Sequence, residues 1–167
     1  CLDALTCASV EAALARLIAD GVEAYEPFNL LLIDARRAVV VDNHDGAVVT
    51  ELSEGLSVLT NLAVNDPRCP RLASAHAGFS RLLRPLEDGA SAADIIHGLA
   101  DVLGDHGGSA DPSGNDPFAR VCVHAGPYGT RSSSIILAAR DGSARFLHAD
   151  DAPCRAAFRE IDTGFAA

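Results

Sequence analysis

Hydrophobic residues recur with two different periods along the chain, and the change of period locates its elements. Val10, Ala13, Leu14, Leu17 and Ile18 recur at helical spacing and line one face. Ser9 stands where an N-cap accepts backbone N–H groups, and Gly21 where a C-cap turns left-handed. Leu2 to Leu5 read as part of a preceding helical turn.

From Phe28 the pattern becomes strand-like. Phe28 to Ile33, Ala38 to Val41, Ala47 to Leu52 and Leu56 to Leu59 are short apolar runs, rich in β-branched residues and separated by turn residues. Asp45-Gly46 suits a tight hairpin. Connections this short force antiparallel neighbours, so Phe28 to Leu59 predict a meander of about four strands. The first run lacks alternation, which predicts burial on both faces, with helices on one side and a second sheet on the other.

Helical spacing returns at Leu72, Ala75, Phe79, Leu82, Leu83 and Leu86, where Pro85 is expected to disturb the last turn. Ser91 and Asp94 form a relative of the capping box before Ile95, Leu99, Val102 and Leu103. Asp105 to Asp116, rich in Gly, Asp, Ser and Pro, predict a loop. Val121 to Val123, Ile135 to Ala139 and Ala144 to Leu147 read as strands, with Asp141-Gly142 as a hairpin turn. The elements describe a single α+β domain over residues 1–167.

Charge and composition narrow the function. With 23 acidic and 13 basic residues the net charge is −10, and 5% aromatic content leaves few platforms for stacking bases. This balance argues against nucleic acid as a partner. No apolar run reaches the ~18–20 residues of a membrane span. Cys1, Cys7, Cys69, Cys122 and Cys154 form no CxxC pair, and an odd number argues against a disulfide framework. They read as reduced, mostly buried thiols of a cytoplasmic protein. His44, His76, His97, His106, His124 and His148 fit no metal spacing, and no CxxCH is present, so no metal is expected. Asp111, Gly114 and Asp116 do not follow the calcium-loop spacing.

Two polar clusters punctuate the apolar strands: Thr60-Asn61, and Tyr128 to Ser134 with Arg131 at its centre. An Asn at a strand end can aim its amide at a developing oxyanion, and an Arg can hold a carboxylate. Either can equally serve its own turn or solvent.

Four strings in order carry a resemblance: Tyr25-Glu26-Pro27-Phe28-Asn29-Leu30-Leu31, Gly55-Leu56-Ser57-Val58-Leu59-Thr60-Asn61, Asn65-Asp66-Pro67-Arg68 and Tyr128-Gly129-Thr130-Arg131-Ser132-Ser133. Together they resemble the NRDE (transport and Golgi organisation 2) family, a branch of the N-terminal nucleophile (Ntn) hydrolase-like superfamily. The resemblance implies an αββα sandwich of antiparallel sheets flanked by helices. It also implies that Asn61 matches the oxyanion-hole Asn of choloylglycine-hydrolase-type relatives and Arg131 their downstream active-site Arg. The family's Asn-Arg-Asp-Glu motif and the Cys before it are not among these residues. The chain is therefore expected to be the C-terminal portion of such a domain, N-terminally incomplete and inactive alone, with Cys1 the end of a truncated chain and not a nucleophile. If the family fold is catalytic, amide C–N bonds are its substrates. As a rival reading, the resemblance implies a non-enzymatic carrier or trafficking role for haem or another hydrophobic ligand, with no cofactor beyond that ligand. A small-ligand sensor domain also fits the pattern of elements. In the hydrolase reading the side chains of Asn61 and Arg131 are expected to face one cavity.

Overall fold

The computed structural model describes residues 3–107, 116–139 and 143–162. The expectations for Cys1, for the Asp141-Gly142 turn and for most of the Asp105 to Asp116 loop lie outside these residues. The chain divides into two compact units, Cys1–Asp66 and Pro67–Ala167. The architecture is α+β, with helices and antiparallel sheets.

In the first unit a short 3-10 turn, Ala4–Thr6, precedes helix α1, Val10–Asp20. Ser9 Oγ accepts the N–H of Ala12, and Gly21 closes the helix at φ 75°. Asp34 adds an anion at the helix start, where unpaired N–H groups and the helix dipole favour one. Its carboxylate accepts from Val10 N at 2.9 Å and from the backbone of Arg36 and Arg37. The bond from Val10, then that from Arg36, holds the Asp34 carboxyl below its ordinary range. Helix α1 buries Val10 and Ala13, but Ile18, expected on the same face, is 63% exposed. At 3.6 residues per turn, eight residues carry Ile18 roughly 80° around from Val10, to the edge of the stripe.

Strands β1 (Asn29–Ile33), β2 (Ala38–Asp42) and β3 (Val48–Leu52) form an antiparallel meander in the order β1-β2-β3. Leu31 pairs with Val40, and Val40 with Thr50. The connection after β2 turns at Gly46, φ 100°, while Asp42 Oδ1 accepts the N–H of His44. Two expectations are corrected here. The strand buried on both faces is β2, whose Val39, Val40 and Val41 are at most 2% exposed; β1 is an edge strand that leaves Leu31 and Ile33 exposed. An unbroken apolar run thus marks propensity, and position in the sheet decides burial. Leu56 to Leu59 form no strand. Gly55 turns the chain at φ 115°, and the Val58 N–H is taken by Asn65 Oδ1, so this donor serves a local loop and not a fourth ladder.

In the second unit, helices α2 (Leu72–Glu87) and α3 (Ala92–Leu103) pack against each other. Gly78 allows the approach, because a Cβ there would lie 2.7 Å from Val102 Cγ1. Pro85 does not end α2. It removes one donor in the last turn, with two residues left to disrupt, and its own carbonyl still accepts from Ala90 N. Ser91 caps α3 as expected, accepting the N–H of Asp94 and donating its hydroxyl to the Asp94 carboxylate.

Strands β4 (His124–Ala125) and β5 (Tyr128–Gly129) make a short hairpin; β6 (Ser133–Ala138), β7 (Ala144–Ala149) and β8 (Arg159–Glu160) make a sheet in that order. The expected strand at Val121 to Val123 is not one. Its donors go elsewhere: Cys122 N to Asp105 O, and Val123 N to Thr130 Oγ1. Among the described residues no helix is long and apolar enough to cross a membrane.

Candidate functional site

Asn61 belongs to the first unit and Arg131 to the second. Asn61 sits in a fastened loop and not at a strand end. Asn29, the first residue of β1, donates its side-chain amide to the carbonyls on either side of Asn61: Thr60 O at 2.9 Å and Leu62 O at 3.3 Å. Thr60 Oγ1 accepts from Leu62 N, and Asn65, left-handed at φ 56°, exchanges bonds with both backbone groups of Val58. The backbone around Asn61 is therefore held while its side chain stays exposed, with no hydrogen-bond partner among the described residues. Asn29 Oδ1 is buried beside this loop with no partner. A buried acceptor left unpaired costs about 1–3 kcal/mol, which a polar donor from outside would recover. Arg131 is exposed two residues before β6, its guanidinium likewise without a partner among the described residues.

The second unit also has an open groove of about 470 Å³ between α3 and the segment that follows β7. Ala93, Ile96, Ala100, Leu147, Pro153 and Phe158 give it an apolar lining, and His97, Asp101 and Arg145 add polar groups. His97 Nδ1 lies 3.2 Å from Asp101 Oδ2, one helical turn on. Both side chains are largely exposed, and the other ring nitrogen, Nε2, is a candidate ligand atom. Arg145 binds Glu160 through both Nε and Nη2, at 2.9 and 2.7 Å, across β7 and β8. This hydrogen-bonded pairing raises the Arg145 pKa and holds the Glu160 carboxyl below its ordinary range.

A third constellation has no counterpart in the sequence reading. His106, Cys122, His124 and Cys154 bring one ligand atom each to within 4.8 Å of every other. Cys122 Sγ lies 3.7 Å from Cys154 Sγ, and His124 Nε2 lies 3.8 Å from Cys122 Sγ and 3.2 Å from Cys154 Sγ. The rings of His106 and His124 are 5.0 Å apart. The scaffold is local and specific. Cys122 N bonds Asp105 O, which anchors Cys122 next to His106, and Asp105 Oδ1 turns the chain by accepting from Gly107 N. Cys154 sits in a turn closed by Arg155 N and Ala156 N on Ala152 O. Burial, and then Cys154 alongside, pushes the Cys122 thiol up. Two of the four described cysteines, Cys69 and Cys122, are buried, while Cys7 is half-buried and Cys154 exposed. Of the whole set, only the C-x-H of Cys122-Val123-His124 is a local signal, and alone it specifies no site.

The model of the family described as Transport and Golgi organisation 2 matches residues 2–150. Comparison with the curated proteins finds no match. The four strings noted in the sequence, from Tyr25 to Ser133, all fall inside the matched span. With most of its length matched, the chain belongs to the Transport and Golgi organisation 2 family.

Proposed function

We propose that the chain binds a hydrophobic ligand of the haem class, as a carrier, in the groove between α3 and the segment after β7. The observation that supports this reading is the groove's apolar lining combined with one lining imidazole, that of His97. Apolar walls gain from excluding water and hold a flat ligand without covalent chemistry. His97 offers one axial nitrogen, and among the described residues no second His, Cys or Met lines the groove. Arg145, already engaged by Glu160, can share its charge with a ligand carboxylate at the mouth. Haem titration is expected to give a five-coordinate spectrum that His97→Ala removes. Ala93→Glu, a charge placed on the exposed lining, is expected to weaken binding by about tenfold or more. A six-coordinate low-spin spectrum, or equal affinity in both variants, would remove this reading.

A second reading, Ntn-type acyl or amide hydrolysis, is favoured by the Asn61 loop. A free amide on a held backbone is what an oxyanion donor requires, and the unpaired Asn29 Oδ1 beside it is ready for a substrate N–H. In this reading Asn61 stabilises the oxyanion, Arg131 is the second assigned residue, and a Cys of the kind that precedes the family's Asn-Arg-Asp-Glu motif would be the nucleophile. The test therefore uses the full gene product and acyl-amide substrates. Asn61→Ala is expected to lower kcat by about 100-fold, the usual loss of one oxyanion donor, with unchanged stability. An unchanged kcat would exclude Asn61 from catalysis.

A further inference from the structure

We propose that His106, Cys122, His124 and Cys154 form a tetrahedral metal site for Zn²⁺, which joins three segments of the second unit. Geometry carries the inference. Zn–S bonds of about 2.3 Å and Zn–N bonds of about 2.0–2.1 Å, arranged tetrahedrally, place sulfur and nitrogen ligands about 3.5–3.8 Å from one another. The three separations between Cys122, His124 and Cys154 are 3.2, 3.7 and 3.8 Å, which bracket that range. The fourth ligand atom, from His106, lies within 4.8 Å of all three.

The donor set selects the ion. Two thiols and two imidazoles suit a borderline-soft, tetrahedral cation, whereas Mg²⁺ and Ca²⁺ require oxygen ligands. Four protein ligands leave no position for water or substrate, so the site is structural. A disulfide is the competing use of the two cysteines. Their sulfurs stand 3.7 Å apart, well beyond the bonded distance of about 2.05 Å, and His124 Nε2 lies closer to Cys154 than Cys122 does.

The site accounts for features that the rest of the structure leaves unused. His106 follows α3, Cys122 and His124 enter β4, and Cys154 follows β7. Among the described residues the bond from Cys122 N to Asp105 O ties the first two of these pieces, and one ion would fasten all three. On binding, each thiol gives its proton to solvent and its sulfur lone pair to the metal. Cys154 lies beyond the span matched by the family model, so the complete ligand set is not contained in that span.

The test is titration of the reduced chain with Zn²⁺ against a chromophoric chelator, and with Co²⁺ read by absorption. One ion per chain is expected, and the Co²⁺ form should show intense tetrahedral d–d bands with thiolate-to-metal charge transfer. Cys122 is buried, so Cys122→Ser could unfold the unit for unrelated reasons. The exposed ligands avoid that difficulty. Cys154→Ser is expected to remove about half of the charge-transfer intensity and to weaken Zn²⁺ by about 100-fold or more. His106→Ala should keep the charge transfer and weaken Zn²⁺ by about tenfold or more. Cys7→Ser, in the first unit, should change neither. Absence of saturable Zn²⁺ binding would overturn the proposal. So would an octahedral Co²⁺ spectrum without thiolate bands, wild-type affinity in both exposed-ligand variants, or a Cys122–Cys154 disulfide that persists in reductant.

Discussion

Asn43→Ala is expected to destabilise the chain by about 3 kcal/mol, because it would strand several buried backbone groups at once. Asn43 is 7% exposed, and its side chain takes the place of a ladder for the stretch between α1 and β1. Oδ1 accepts the Phe28 N–H at 2.6 Å, and Nδ2 donates to Val22 O at 2.9 Å and to Tyr25 O at 3.2 Å. Val22 is 2% exposed, so its carbonyl would have little access to water once the amide is gone. Each stranded group costs about 1–3 kcal/mol, and partial exposure at Tyr25 and Phe28 keeps the sum over the three near its lower end, about 3 kcal/mol. Asn43→Asp is the sharper variant. It keeps the acceptor for Phe28 but turns a carboxylate towards the two carbonyls, so it should cost at least as much as Ala. Denaturant unfolding followed by circular dichroism decides the matter. A change within about 0.5 kcal/mol, the usual range for an unpartnered surface residue, would show that the network carries no stability.

Gly129→Ala is expected to cost about 2 kcal/mol and to disturb metal binding together with stability. A Cβ at Gly129 would lie 2.7 Å from the carbonyl oxygen of Val123. That atom is backbone, in the chain paired with β5, and it cannot rotate away as a side-chain end does. The same carbonyl accepts from Thr130 N at 3.0 Å, while Val123 N bonds Thr130 Oγ1 at 3.0 Å. Forcing the two chains apart loosens both bonds and shifts Cys122 and His124, the residues on either side of Val123. Gly98→Ala is the comparison. Its Cβ would meet Leu82 Cδ2 at 2.5 Å, the flexible end of a side chain, which can change rotamer. Denaturant unfolding should therefore rank Gly129→Ala as the more damaging, and only Gly129→Ala should weaken Co²⁺ charge transfer. The reverse order of stabilities would contradict the role assigned to the Val123 carbonyl.

Of the candidate sites, Asn61 and Arg131 were legible because each stands in a recognisable string of neighbours. What supports Asn61 was not legible. The amide that clamps its loop comes from Asn29, 31 residues from Thr60 in sequence, and nothing local announces the bond. The metal cluster was less legible still. Cys122 and Cys154 are 32 residues apart, and His106 arrives from a third segment, so no spacing rule applies.

The same division runs through the fold. Helices α1 and α3 were readable to their caps, because Ser9, Gly21 and Ser91 act on backbone groups within a few residues. The meander β1-β2-β3 was readable because its short connections permit only antiparallel neighbours. The sequence by itself determined these features, since hydrogen bonds and steric limits over a few residues are enough to decide them. Only the tertiary structure decided which strand is buried, and it chose β2, the central one, over the more continuously apolar β1. It also made a strand of the polar pair Arg159–Glu160 and denied one to Leu56 to Leu59. In each case the deciding partner was remote in sequence or competed locally for one donor: Leu147 and His148 recruited β8, and Asn65 took the Val58 N–H. A backbone N–H binds whichever acceptor the fold presents, and propensity along the chain does not reveal that acceptor until distant segments meet.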